Sequence, residues 1–390
     1  MRSRTRAALL IGLGVALGVG LLSGVAAGAP SAGGTVRIGL EGPLSGDQKN
    51  IGIGMLDGAR LAAAQLNARG GLLGKRVQIV PIDDAADPAT GVQAATAAIK
   101  AGLDGVVGPY NSGVGAKTLP LYLAAGIVPI RLTSADATAG LGFTLQPMTS
   151  QIAPVAADAL TNWIGAKSVA IIYDSTQLYT QTVSTALKGL LDQAGVTVTA
   201  FQPIEPGKKS YADVVTSVAA SKPDVIYAAT YYPEGGLIAK AMHQQQTSSR
   251  CIADYGSYDS AFVTTAGTAA AKQCPVVGVP APTDFASSGA YVASYRRKFG
   301  QAPGTWSPYA YDSVNLLAYG VSQTGGFTAS ALTSELGKVH GWSGWTGYVT
   351  IEPSTGNRQP ATVVVTTIDA NGQLHVDQAW AKAAGVHPST

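Results

Sequence analysis

The chain has 390 residues, 46% hydrophobic and 13% charged, about half the ~25% charged fraction of an average soluble protein. With 48 glycines and 21 prolines this describes a turn-rich globular protein of about two domains rather than a disordered one. The first 34 residues hold three arginines (Arg2, Arg4, Arg6) and no acid, so the remainder balances 23 basic against 23 acidic groups, and a neutral body with no Lys/Arg run excludes the phosphate-neutralising surface that nucleic acid requires.

The basic start is followed by an apolar, Gly-rich run from Ala7 to Ala29 and a small-residue exit at Ala27-Gly28-Ala29. That order is the order of a secretory signal peptide over 1–34, with the mature chain starting near Pro30 to Thr35. The run is also about the ~20 residues that span a bilayer, so an uncleaved anchor is the competing reading. Leu21-Leu22-Ser23-Gly24 leads to Val25 where a lipidated cysteine would stand, so no lipid is attached there. The expected location is outside the cytoplasm, periplasmic or at the cell surface. Cys251 and Cys274 suit that compartment, and a disulfide between them would close a 23-residue separation worth roughly 3 kcal/mol in the chain-entropy model.

From Thr35 short β-branched runs alternate with longer Ala-rich segments of helical period, which predicts parallel βαβ units. Strands are predicted at 36–40, 77–82, 105–107 and 127–130, with helices at 53–68, 87–100 and 114–124 between them. Asp87-Pro88 marks the second helix start, Asp to cap and Pro at the first helical position. A second series follows the polar stretch 146–151: helix 153–163, strand 168–173, helix 181–194, strand 196–201, helix 211–221, strand 225–229 and helix 234–245. Beyond Cys274 the alternation is less clean, with helices at 287–299 and 309–322 and a Gly/Trp-rich stretch at 341–347. The fold class is α/β, two doubly wound parallel-sheet units in tandem.

No GxSxG, HExxH, P-loop or CxxC motif is present, and the four histidines are scattered, which argues against an enzyme, a metal site or a cofactor. Open α/β sheets bind ligands beyond the carboxyl ends of their strands. Two polar turns occupy such positions, Gly108-Pro109-Tyr110-Asn111-Ser112-Gly113 and Arg131-Leu132-Thr133-Ser134-Ala135-Asp136. Their hydroxyls and helix N-termini suit a carboxylate, although N-capping alone also explains each Ser or Thr. Arg131 either grips that carboxylate or pairs internally with Asp83, Asp84 or Asp136. In the second unit Thr230-Tyr231-Tyr232-Pro233-Glu234 and Asp254-Tyr255-Gly256 follow strands, and an acid beside a tyrosine hydroxyl is suited to an ammonium group.

Taken with Pro43-Leu44-Ser45-Gly46, Asn67 to Gly74, Val106-Val107-Gly108 and Ala310-Tyr311-Asp312-Ser313, these segments resemble the type I periplasmic binding proteins of the leucine/isoleucine/valine-binding class, which deliver ligand to an ABC transporter. The resemblance implies two lobes joined by three chain crossings: lobe one from 35–153 and 282–358, lobe two from 154–281 and 359–385. It implies that Ser112 and Thr133, beside Asn111, hold a carboxylate, that Tyr231 lies toward the ammonium, that Asp254 or Tyr255 takes the place of its acidic partner, that Tyr311 forms an aromatic wall, and that Tyr179 belongs to the site although Leu178-Tyr179-Thr180 stands where a Tyr-Gly is usual. Ala135, Ile51 and Arg131 depart from the pattern. The expected function is an exported, non-enzymatic solute-binding protein for a branched-chain or related amino acid, with an ABC membrane permease as partner. The alternatives are a ligand-sensing module of the same fold, or a binder of a small carboxylate other than an amino acid, for which Arg131 would matter more than Asp254.

Overall fold

The computed structural model describes residues 33–285 and 288–386. The leader expected at 1–34 falls almost wholly outside the described residues. Among those residues no helix is long and apolar enough to cross a membrane.

The first run of elements is β1 (Thr35–Gly42), α1 (Lys49–Ala68), β2 (Arg76–Asp83), α2 (Pro88–Lys100), β3 (Gly105–Val107), α3 (Ser112–Ala124), β4 (Pro129–Arg131) and β5 (Phe143–Thr144). Asp87 caps α2, its carboxylate accepting from the Thr90 amide at 2.7 Å, with Pro88 at the first helical position. The second run is α4 (Thr149–Asp158), β6 (Ser168–Asp174), α5 (Leu178–Gln193), β7 (Thr197–Ile204), α6 (Ala212–Ala219), β8 (Val225–Ala229), α7 (Tyr232–Gln245), β9 (Arg250–Ala253), α8 (Ser260–Ala266), α9 (Thr268–Lys272) and β10 (Val276–Gly278). The chain then returns through α10 (Ser288–Phe299), α11 (Ser307–Thr324), α12 (Ala329–Leu336), the hairpin β11 (Trp342–Gly344) and β12 (Gly347–Val349), and β13 (Ile351–Glu352) with β14 (Asn357–Arg358). Finally come β15 (Val364–Ile368), β16 (Leu374–Val376) and α13 (Gln378–Ala384).

Two seven-stranded sheets result, ordered β13-β14-β5-β4-β3-β1-β2 and β16-β15-β10-β9-β8-β6-β7. In each the central strands run parallel and the strand order reverses beside the first strand, at β1/β3 and at β6/β8, the crevice where such sheets take ligands. Antiparallel pairing is confined to the ends, β13 on β14 and β15 between β10 and β16. Because β14 joins the first sheet and β15 the second, the chain passes between lobes three times, after β5, after β10 and after β14. Helix α4, which follows the first crossing, packs on α5. The apolar runs of both sheets are buried: Ile38, Leu40, Val106 and Val107 in one, Ala170, Ile171, Ile172 and Tyr227 in the other. Cys251 on β9 is bonded to Cys274 just before β10, with Cα atoms 4.6 Å apart.

Candidate functional site

The turn leaving β3 is shaped by Gly108. Its φ is +99°, and an added Cβ would stand 2.1 Å from the carbonyl oxygen of Glu41 on β1, so only glycine lets the chain pass this close. That passage carries Tyr110, Asn111 and Ser112 to the start of α3. Asn111 is the helix N-cap, fully buried, its amide donating to Gln48 Oε1 at 2.9 Å. Ser112 Oγ accepts from the amides of Ala135 (3.0 Å) and Ser134 (3.3 Å), which ties the turn after β3 to the turn after β4. With its lone pairs so occupied, the Ser112 hydroxyl proton is left to donate elsewhere.

Opposite stand the strand ends of the second lobe. Tyr179 opens α5 after β6, Tyr231 caps α7 after β8, and Tyr255 follows β9. Tyr110, Ser112, Leu132 and Ser134 from one lobe and these three tyrosines from the other line a small shared cavity of about 10 Å³, room for about one water-sized sphere. The lobes touch around it. The Tyr255 hydroxyl donates to Gln146 Oε1 at 3.2 Å, the Tyr232 hydroxyl donates to the Asp47 carbonyl, and the Tyr110 and Tyr231 rings lie 6.1 Å apart. Trp306, 1% exposed, packs within 5.1–5.7 Å of Tyr110, Tyr255, Tyr258 and Tyr309. Larger hollows of about 660 Å³ each lie elsewhere, but each is formed by one lobe alone, whereas the small cavity is shared by both.

Of the residues expected at the site, Ser112, Tyr179 and Tyr231 line the cavity, with Asn111 beside them. Thr133 does not. Side chains alternate along the extended chain after β4, so Leu132 and Ser134 face the cavity while Thr133 turns back, its hydroxyl 2.7 Å from that of Thr138. Arg131 turns the same way. Fully buried, it reaches Asn357 Oδ1, the Thr355 carbonyl (3.4 Å) and Met148 Sδ (3.4 Å), and it pairs with no carboxylate among the described residues. Burial lowers its pKa to about 9, against the pull of Asp136. The internal pairing foreseen with Asp83, Asp84 or Asp136 is therefore made instead with neutral acceptors.

Asp254 also stands behind the wall. Oδ2 accepts from the Tyr179 hydroxyl at 2.8 Å and the Gly256 amide at 3.3 Å, and Oδ1 accepts from the Tyr227 hydroxyl at 2.5 Å. Burial raises its pKa, while those donors hold it down. It is the neighbouring Tyr255 that faces the cavity. Tyr311 lies in a different place: its hydroxyl donates to Gln65 Oε1 at 2.6 Å and its ring meets Tyr291 edge-on at 5.3 Å, beside Trp345 on the outer face of α11. Burial keeps all the cavity tyrosines protonated. Three lining residues, Tyr110, Leu132 and Ser134, were not singled out from sequence, although each stands in a turn that was, and Tyr255 was named only as the alternative to Asp254. Trp306 had no signal beyond its position before the helix start at Ser307-Pro308. Among the described residues no group of three or more His, Cys, Asp or Glu is placed to hold a metal.

A family model described as periplasmic binding protein matches residues 35–373. A Leu/Ile/Val-binding protein of Rhizobium johnstonii is 33% identical over 239 residues, a match that spans 60% of this chain and 65%, just under two thirds, of that protein. A leucine-binding protein of Thermotoga maritima superposes with a TM-score of 0.80 at 21% identity, covering 88% of this chain and 97% of the other. A solute-binding protein of an ABC transporter from Rhodopseudomonas palustris, solved with 3,4-dihydroxybenzoic acid, gives 0.78 at 18% identity, covering 88% and 95%. At those identities the structural likeness speaks for the fold.

Proposed function

The chain belongs to the periplasmic binding protein family, type I, leucine/isoleucine/valine-binding class, and from that premise we propose that it is the exported solute-binding component of an ABC importer, trapping a small carboxylate between its lobes. The observation that carries this reading is the cavity itself. It lies at the carboxyl ends of both sheets, is walled from both lobes, and is held by contacts that exist only when the lobes meet. A ligand touching both walls stabilises the closed arrangement and so drives closure, with no chemistry. Its carboxylate would sit at the N-terminus of α3, where free amides and the Ser112 hydroxyl converge.

The Rhizobium relative is named for branched-chain amino acids and the Rhodopseudomonas structure holds an aromatic acid, and both kinds of ligand bring a carboxylate on an apolar body. With the lobes in contact the space is only about 10 Å³, far below the ~300–1,000 Å³ of ligand sites, so the walls must move apart to admit a ligand. The closed shape would be read by a membrane permease outside the cytoplasm, the protein being exported without a lipidated cysteine.

Native mass spectrometry of the protein purified without denaturation should show one small acid bound, and calorimetry should show Ser112→Ala weakening that acid at least tenfold. No bound acid, and no acid or amino acid that raises the melting temperature of the stripped protein, would overturn the proposal.

A further inference from the structure

We propose that the cleft selects a small monocarboxylate with an apolar body and no ammonium group, and that Tyr255 sets this choice. The inference rests on the solute-binding reading above and narrows its ligand class.

The cavity offers two unlike ends. At the first-lobe end are donors: the start of the 13-residue α3 and the Ser112 hydroxyl. Close by, the fully buried amide nitrogen Gln146 Nε2 has no partner, while its Oε1 takes the hydroxyls of both Ser134 and Tyr255. An unsatisfied buried donor next to a helix N-terminus suits an anion. No cationic side chain lines the space, and Arg131 is engaged on the far side of β4, so the anion is held by hydrogen bonds and the helix dipole.

At the second-lobe end an ammonium would need an unengaged carboxylate, and none is presented. Asp254 is separated from the cavity by the tyrosine it holds, and both of its oxygens are engaged. The other buried acids on this lobe serve local turns: Asp174 accepts from Thr176, Glu234 from the Gly207 amide, Asp259 from the Ala261 amide. What reaches the cavity is phenol from Tyr179, Tyr231 and Tyr255. An ammonium moved from water into this enclosure without a counter-charge carries a desolvation penalty that neutral hydroxyls do not offset. An apolar body meets the opposite situation, since Leu132 and the tyrosine faces supply contact area to aromatic or branched groups alike. Tyr255 decides the matter because it occupies the cavity position while the acid one residue earlier points behind it.

The test is isothermal titration of the ligand-stripped wild-type protein with matched pairs that differ only in the amino group: leucine against 4-methylpentanoate, phenylalanine against 3-phenylpropanoate, with glycine betaine added because an aromatic enclosure can hold a quaternary ammonium by its ring faces. The deaminated acid should bind at least tenfold tighter within a pair, and betaine should not bind. An amino acid that binds as tightly as its partner, or betaine binding, overturns the inference and leaves the solute-binding reading standing. Binding by neither member of any pair overturns both. Tyr255→Glu, which places a carboxylate at the cavity, should reverse the preference, while Tyr255→Phe should keep it. An unreversed preference in a Tyr255→Glu protein with wild-type circular dichroism removes Tyr255 from the role.

Discussion

The two lobes share one strand order and differ in what they bring to the cleft. The first supplies hydroxyls and main-chain amides on a turn bent by Gly108, and the second supplies phenols braced by a buried aspartate. Their buried acids differ in the same sense. In the second lobe Asp254 receives two tyrosine hydroxyls and an amide. In the first, Glu41 and Asp84 are both fully buried, and one oxygen of each, Glu41 Oε1 and Asp84 Oδ2, has no partner. An identical topology thus accommodates a satisfied carboxylate behind Tyr179 and an under-satisfied pair whose pKa values burial raises.

The largest effect should come from Gly108→Val, which forces a side chain into a left-handed turn against the Glu41 carbonyl. A loss of about 3 kcal/mol is expected, at the upper end of ordinary substitutions, together with loss of ligand binding. Denaturant unfolding that leaves the first lobe unchanged would contradict the role given to this turn. Next comes the staple that only the second lobe possesses: replacing Cys251 and Cys274 together by alanine should cost roughly 3 kcal/mol and separate a lower-melting second lobe in calorimetry, whereas reductant should leave the first lobe's transition in place.

Asp254→Ala removes the acceptor of the Tyr179 and Tyr227 hydroxyls and should cost about 2 kcal/mol. If Asp254 stands behind the site, a ligand should bind more weakly only through the loosened Tyr179. A loss of affinity with unchanged stability would mean that the aspartate faces the ligand after all. The smallest effect concerns the first lobe. Burial lifts Asp84 to about 7, against ~3.9 for a free aspartate, and lifts Glu41 in the same direction, by burial first and the charge of Asp84 second. The folded protein keeps the Asp84 proton where the unfolded chain releases it, so stability falls as pH rises from about 4 to about 7 and then levels. Asp84→Asn should flatten that slope and be more stable than wild type at pH 8. An unchanged slope would show that the pair is hydrated or otherwise relieved.

The elements with local causes were readable from sequence. Asp87-Pro88 marks the start of α2 because cap and ring act within one turn, and β3 and β8 end where the β-branched runs end. The two-residue strands β5, β13 and β14 carry no periodicity, so nothing in the chain announces them before they find partners. Helix α1 begins at Lys49, ahead of the Ile53 from which the apolar spacing starts, because Asn50 and Gly52 interrupt that spacing. At the site, the turns were legible and the facing was not. Ser134 against Thr133, and Tyr255 against Asp254, are each decided by a one-residue alternation that depends on how the segment lies against its neighbours. Tyr311 and Arg131 are side chains whose chemistry suits a ligand but whose backbone positions direct them elsewhere.

The shared strand order carries a consequence for the making of the chain. The first sheet is not complete until residues 351–358 are available, and the second waits for 364–376. Although domains generally fold as they emerge, amino-terminal part first, each sheet here takes its last strands from beyond residue 350. The two sheets are therefore completed within a short stretch of one another, late along the chain.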